Sequence, residues 1–498
     1  MPPVHGTDKR GRSRRNKHAQ AVASHARLIF ALVIVAVFLD VMDFSVVNVA
    51  LPTIMAQFGA SLASIQWVIG AYGLTMAGLL MLSGRAGDIY GQKKLFVAGV
   101  ALFTLTSLAS GLATSLLMLV AFRAIQGIGA AVSSVTAFSI FIIIFPEGKE
   151  RNKAMGVFMA VLSAGFAAGA MAGGFLTAFL GWRYVFFVNV PIGTATAFLI
   201  NKFLPESEGR SARGRLDLPG AVTITAGLML LVYSLTAASS GNILSAQVLL
   251  PLALAVASLA AFLHIESRSA APLVPLSFLR RGVVLNANAA ALIIASASGG
   301  IGVLVTVFMQ QVLGYSSLLA GLGFLPPALI FFIIGGWFID PIIGKFGIRR
   351  VLIVSTALIS AGIALMIPLS AKGGYLSILP GTLLWALGAS IGFPALSIAA
   401  LSGIKPGEEG LASGLITTSQ RIGFPLGLSV LVAISAAAAP VSASANAVSV
   451  SVLGFRWAFA AASILSLIAI FLTLRIKIVG HHAHMEGISA EFSEEALP

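Results

Sequence analysis

Apolar runs of about 20 residues follow one another along almost the whole chain, and runs of that length match the thickness of a bilayer rather than a soluble core. Only 10% of the 498 residues are charged and 58% are hydrophobic, whereas a soluble domain needs about 25% charged residues to cover its surface. The chain therefore reads as an all-α polytopic membrane protein. Spans are expected near 28–51, 64–83, 95–113, 115–138, 154–180, 184–204, 218–238, 245–264, 283–309, 318–340, 350–369, 376–400, 409–435 and 453–475. The first run, from Leu28, is too long for a cleaved leader and has no small-residue cleavage site, so it reads as a retained span.

The basic residues test that count. With the N-terminus inside, 26 of the 31 lysines and arginines fall in cytoplasmic segments, among them Lys9, Arg85, Lys153, Arg215, Arg281, Arg350, Lys405 and Lys477. Arg183, Lys372 and Arg456 fall outside, and Arg123 and Arg421 lie within spans. A missed span would scramble this alternation, so fourteen spans with both ends cytoplasmic are expected. The net charge of +14 builds no continuous basic face, which excludes a nucleic-acid surface. The basic first 27 residues read instead as a topology signal that meets anionic lipid. There is no cysteine for thiolate chemistry or metal ligation.

The first six and last six spans read as copies. Ala154, Gly156, Gly165, Phe166 and Gly169 recur as Ala412, Gly414, Gly423, Phe424 and Gly427, at a constant offset of 258. The segment from Gly181 to Phe186 is echoed from Gly454 to Phe459, and the turn Gly91-Gln92-Lys93-Lys94 by Gly347-Ile348-Arg349-Arg350. Two repeated halves suit a rocking transporter whose central site opens to each side in turn. The expected division is a basic tail (1–27), an N-terminal half (28–204), a linker carrying spans 7 and 8 (205–277), a C-terminal half (278–477) and a tail (478–498).

Asp40 and Asp43, three apart in span 1, lie on roughly one helix face. A charge at mid-membrane costs at least about 2.5–3.5 kcal/mol, so an intramembrane acid faces a cavity or a partner and becomes a functional candidate. Two close carboxylates do not both ionise cheaply, which suits them to taking up and releasing a proton. The expected partner is Arg123 in span 4: counted at about 1.5 Å per residue, its depth matches theirs. Burial and a nearby arginine pull a carboxylate's proton affinity in opposite directions, a balance that a conformational change can tip.

Span 5 carries Gly156, Gly165, Gly169, Gly173 and Gly174, a small-residue groove for close helix packing. Arg421, with Gln420 beside it, lies deep in span 13 with no acid near it in the C-terminal half, and suits either a substrate and gating role or hydrogen bonds to carbonyls. Asp340, His264 and Glu266 sit at span edges, where solvation is the simpler reading, and His481, His482 and His484 form a tail cluster read as inert. No GxxxxGK[ST] loop occurs, so the drive is expected from an ion gradient rather than from nucleotide.

At these residues the chain resembles the major facilitator superfamily, and within it the fourteen-helix drug:proton antiporters, from about Ala36 to Arg475. Asp43 through Pro52 resembles the family's first-helix motif, and Gly84 through Lys94, with Asp88 and Gly91, its loop motif after helix 2. Arg123, Gln126 and Gly127 match the fourth-helix motif, and Gly165, Gly169, Gly173 and Gly174 the antiporter motif of helix 5. Trp67, Tyr72 and the segment Trp182 to Gly193 resemble further signatures. Three departures stand out: Ala170 replaces the antiporter motif's usual proline, Ala86 and Ile89 replace the usual residues flanking Asp88, and Asp40 is additional.

The resemblance implies the major facilitator fold, two six-helix halves with two inserted helices, acting as a monomer in the cytoplasmic membrane. It implies export of hydrophobic small molecules in exchange for protons, with the proton gradient in place of any cofactor and with no enzymatic step. Export of a single self-made metabolite, or proton-coupled import, are the alternatives. Asp43 with Asp40 would carry the proton and Arg123 would modulate it. Asp88, with Gly84, Gly91, Lys93 and Lys94, would form an inner latch, and the span 5 glycines a seam. Gln126, Arg421, Trp67 and Tyr72 are candidates for the substrate cavity.

Overall fold

A computed structural model describes residues 9–145, 149–205, 216–238, 243–269, 272–370, 372–402, 404, 408–438 and 452–476. The loop at 239–242, Arg210, Arg213, Arg215, Lys405, Lys477 and the histidines of the C-terminal tail lie outside the described residues, as does the side chain of Asp340.

Helices occupy every expected span. The first six are α1 (Lys9–Phe58), α2 (Trp67–Tyr90), α3 (Gln92–Gly111), α4 (Leu116–Ile144), α5 (Lys149–Phe179) and α6 (Asn189–Phe203). Next come α7 (Leu218–Ala238), α8 (Ala246–Arg268) and α9 (Gly282–Val312), which ends in a π turn at Phe308–Val312. In α10, Ser317–Ile333 passes through a second π turn, Ile334–Phe338, into Ile339–Phe346. The chain continues with α11 (Ile348–Ala364), α12 (Leu379–Leu401), α13 (Glu409–Ala437) and α14 (Val452–Arg475). Eleven of these are long and apolar enough to cross a membrane. The other three are interrupted or short: the apolar part of α5 is Ala164–Phe179, α10 is broken by its π turn, and α11 has 17 residues.

Local sequence explains the ends. The Ser115 hydroxyl accepts from Met118 N at 3.2 Å and opens α4, and Ser316 does the same for α10 through Leu319 N at 3.3 Å. Gly91, at φ +96°, turns the chain between α2 and α3; Gly347, at φ +74°, makes the matching turn between α10 and α11. Both turns need a backbone that side-chain-bearing residues rarely adopt, which accounts for glycine recurring in the two copies.

Packing follows the sequence repeat. In the first half α1 packs on α5 and α6, α4 on α2 and α3, and α3 on α6; in the second α9 packs on α13 and α14, α12 on α10 and α11, and α11 on α14. The glycines explain the seams that α1 and α9 make with α5 and α13. A Cβ added at Gly169 would lie 2.6 Å from Met42 O of α1, and one at Gly173 2.7 Å from Val46 O. On α13, a Cβ at Gly423 would lie 2.5 Å from Leu292 O and one at Gly427 only 1.8 Å from Ser296 O of α9. Backbone therefore meets backbone at corresponding places in both halves.

Two seams join the halves: α2 against α13, and α5 against α10. At the second, a Cβ on Gly174 would come within 2.8 Å of Ser317 O, and one on Gly321 within 2.5 Å of Ala170 O. The Gln310 amide donates to Val49 O at 2.9 Å, and the Thr53 and Ser317 hydroxyls lie 3.5 Å apart, so the ends expected to face outward are drawn together. The helix α7 lies against α8 on one side and bridges α2 and α13 on the other. Gln66 donates to Thr236 at 2.9 Å, and a Cβ on Gly78 would strike Thr225.

Candidate functional site

Asp43 is wholly buried among α1, α4 and α6. Its Oδ2 accepts from Arg123 Nη1, and its Oδ1 from Asn189 Nδ2 at 2.9 Å and Gln126 Nε2 at 3.2 Å. Arg123, equally buried, also donates from Nε to Val68 O at 2.9 Å and from Nη1 to Gln126 Oε1 at 2.8 Å. Its guanidinium lies 4.2 Å from the centroid of the Tyr72 ring, which faces it as a π surface. Asn189 is positioned in turn by the Ser107 hydroxyl, 3.0 Å away, and Ser107 donates to Phe186 O at 3.0 Å. Every partner of Asp43 belongs to the N-terminal half.

Asp40 lies less than one turn away and has different partners. The Tyr72 hydroxyl donates to its Oδ1, Ser134 Oγ donates to Oδ2 at 3.3 Å, and Arg421 Nη2 approaches Oδ2 at 3.5 Å. Arg421 comes from α13, so this ion pair crosses between the halves. Tyr72 thus touches both aspartate sites, with its hydroxyl on Asp40 and its ring over Arg123.

Beside this network lies a cavity of about 340 Å³. The N-terminal half contributes Phe44, Tyr72 and Phe166, and the C-terminal half Phe331, Trp385, Phe393, Phe424, Gln420 and Arg421. Among the described residues, Arg421 is the only charged one in the lining. The wall is otherwise aromatic and aliphatic, which suits an apolar molecule carrying few polar groups.

The structure sorts the candidates read from the sequence. Arg123 and Gln126 meet at Asp43, while Tyr72 and Arg421 line the cavity and meet at Asp40. Trp67 lies apart, its ring 6.4 Å from Tyr233 of α7. Asp88 is exposed and accepts from Gln92 at 3.2 Å, within its own half; Lys93 and Lys94 follow in the first turn of α3. A Cβ on Gly84 would sit 3.2 Å from Val135 of α4. Gly165, Gly169 and Gly173 face α1, whereas Gly174 faces α10 of the other half. Asn189 and Ser134 join the site without having been candidate site residues; Asn189 lies in the Trp182–Gly193 segment that resembles a family signature, whereas a serine among several in α4 gave no signal.

The profile of the Major Facilitator Superfamily matches residues 33–428. The chain belongs to that superfamily. It is 40% identical over 439 residues to the cephamycin export protein CmcT of Amycolatopsis lactamdurans, covering 87% of this chain and 88% of that one. It is 32% identical over 394 residues to the multidrug resistance protein Stp of Mycobacterium tuberculosis, covering 79% and 73%. The fold matches the crystal structure of the nucleoside transporter NupG with a TM-score of 0.64 at 11% identity, over 90% of this chain and 99% of that one. This major facilitator chain is accordingly a multi-pass membrane transporter of small molecules, not an enzyme.

Proposed function

We propose that the chain exports hydrophobic small molecules across the cytoplasmic membrane in exchange for protons, with fourteen crossings and both termini in the cytoplasm. Its cargo enters the aromatic cavity between the halves, and Asp43, assisted by Asp40, carries the coupling proton under the control of Arg123. The observation that carries this reading is the juxtaposition of that cavity with a buried carboxylate–arginine cluster, bridged by Tyr72. A proton on Asp43 would weaken its bond to Arg123, and the cluster reaches α1, α2, α4 and α6, so protonation could reset the packing of one half against the other. Relatives named for cephamycin export and multidrug resistance support the outward direction.

The test is transport by the purified chain in proteoliposomes under an imposed pH gradient, with a panel of hydrophobic drugs. Uphill movement that collapses when a protonophore is added is expected; movement unaffected by the gradient would remove proton coupling. Export of one self-made metabolite is a second reading, favoured by the likeness to a named cephamycin exporter. A drug panel in an efflux-deficient host separates the two, since a dedicated exporter would protect against none of the unrelated compounds.

A further inference from the structure

Arg421 is about one-third exposed and opens into the cavity, whereas the other intramembrane arginine, Arg123, is fully buried and bonded through Nε and Nη1 to Val68 O, Asp43 and Gln126. Its single contact among the described residues is Asp40, at 3.5 Å, long for a charged hydrogen bond. A planar guanidinium held this loosely keeps a free edge of donors for a planar acceptor. Beside it in the cavity wall, the Gln420 Nε2 is buried without a partner, a second donor. Among the described residues the lining contains no carboxylate, so the wall itself offers a cationic guest no counter-charge. Asp43 offers Arg421 no alternative, because its two oxygens are taken by Arg123, Asn189 and Gln126.

We propose that Arg421, with Gln420, recognises the carboxylate or other anionic end of an aromatic substrate, and that Asp40 occupies Arg421 in the absence of such a guest. This names the cargo class for the proposed exporter and rests on that reading of the cavity. The rings of Phe331, Trp385, Phe393 and Phe424 hold the apolar body, and the anionic end displaces Asp40 from the guanidinium. Asp40 keeps its bonds from Tyr72 and Ser134 when this happens, so it remains satisfied on the N-terminal side. The exchange has a mechanical consequence, because the Asp40–Arg421 pair joins the two halves. An anionic guest therefore opens that pair as it binds, whereas a neutral guest of the same shape leaves it closed.

Equilibrium binding to the purified full-length chain tests this with dansylglycine, which carries a carboxylate, and dansylglycinamide, its neutral counterpart. The wild-type chain should prefer dansylglycine. Arg421→Gln should weaken dansylglycine by about tenfold or more and change dansylglycinamide by less than about twofold. Asp40→Asn removes the internal competitor and should strengthen dansylglycine by about three- to fivefold, again with little change for the amide. Arg421→Lys should keep part of the preference, since charge remains but the planar fork is lost. An equal change for both probes in Arg421→Gln would show a purely structural tie between the halves and overturn the proposal. So would weaker dansylglycine binding in Asp40→Asn, or a wild-type chain that does not prefer the carboxylate. Export in proteoliposomes is a separate readout: gradient-driven drug transport with no carboxylate preference overturns this inference alone, and carboxylate-selective binding without gradient-driven transport overturns the exporter reading alone.

Discussion

Arg123 and Arg421 each meet one aspartate of α1, less than one helical turn apart, in opposite physical settings. The Arg123–Asp43 pair is dry, belongs wholly to the N-terminal half and has further bonds from Gln126, Asn189 and Val68 O. The Arg421–Asp40 pair is long, partly open to the cavity and spans two halves. A buried pair loses about 3–5 kcal/mol when one partner is removed, because the other is left charged and unsolvated. Asp40 is buried too, but Tyr72 and Ser134 still donate to it without Arg421, so the looser pair should lose less. The same two residue types therefore give a tightly held pair within one half and a looser one between halves, which are the settings the proposed proton site and the proposed ligand exchange each require.

The C-terminal half sharpens the contrast. Gly165 against Phe38 O and Gly169 against Met42 O correspond to Gly423 against Leu292 O and Gly427 against Ser296 O, and in that register Ile294 and Ala297 stand where Asp40 and Asp43 do. Both are fully buried. The repeat has kept the seam and dropped the acids, leaving the C-terminal copy to contribute aromatic rings and one arginine to the cavity.

The largest expected effect follows from the dry pair. Asp43→Asn should abolish gradient-driven transport and lower stability by about 3–5 kcal/mol, because Arg123 loses its counter-charge. Adding Arg123→Gln should recover most of that stability, read by thermal unfolding in detergent, without restoring transport. Arg421→Gln, judged by the same unfolding measurement, should cost clearly less, about 1–2 kcal/mol, because Asp40 keeps the bonds from Tyr72 and Ser134. Equal losses for Asp43→Asn and Arg421→Gln would erase the difference between the pairs. Asp40→Asn, three residues from Asp43, should shift the pH profile of transport rather than abolish it, because it removes a negative charge beside Asp43 while leaving Asp43 and Arg123 in place.

Much of this was legible in the sequence, and the reasons are physical. Charge is so costly at mid-membrane that Asp40, Asp43, Arg123 and Arg421 stood out, and depth counting brought Arg123 level with the acids. The glycine repeat at an offset of 258 marked a seam, because only glycine lets two backbones approach as Gly169 and Gly427 require. The partner of Arg421 was not legible: Asp40 lies 381 residues away in the other half, and helical spacing says nothing about how two halves face each other. Nor were the cavity aromatics, because a phenylalanine facing the cavity, such as Phe331, reads like one facing lipid, such as Phe471.

The seams give the next effects in size. Gly427→Ala places a Cβ 1.8 Å from Ser296 O, and Gly169→Ala one 2.6 Å from Met42 O, so backbone must shift in both. Overpacking of this kind costs about 1–3 kcal/mol, with Gly427→Ala the worse of the two. Gly156→Ala on the same α5 helix meets nothing within 4 Å and serves as the control. Because alanine favours a helix over glycine, Gly156→Ala should be neutral or stabilising; unfolding temperatures that ranked it with the seam variants would show that contact at the seams sets no cost.

The smallest effects belong to the inserted pair α7 and α8, where the two helices also differ from each other. Val232 and Leu228 of α7 are buried against Leu74 of α2, with Ile422 and Leu426 of α13 packed on them, so α7 acts as a strut over one of the two seams. Leu250 and Val256 of α8 are 61% exposed and face lipid. Among the described residues, neither helix contributes to the cavity lining. Val232→Ala should therefore cost about 0.5–1.5 kcal/mol through lost packing, while Leu250→Ala and Val256→Ala change stability by no more than about 0.5 kcal/mol. All three should leave the ranking of exported compounds and the pH profile as in the wild type, because the aspartate pairs and the aromatic wall are untouched. Export assays on the three variants, normalised to the amount of folded protein, check this; a changed substrate ranking in any of them would place the substrate route along the inserted helices instead of between the halves.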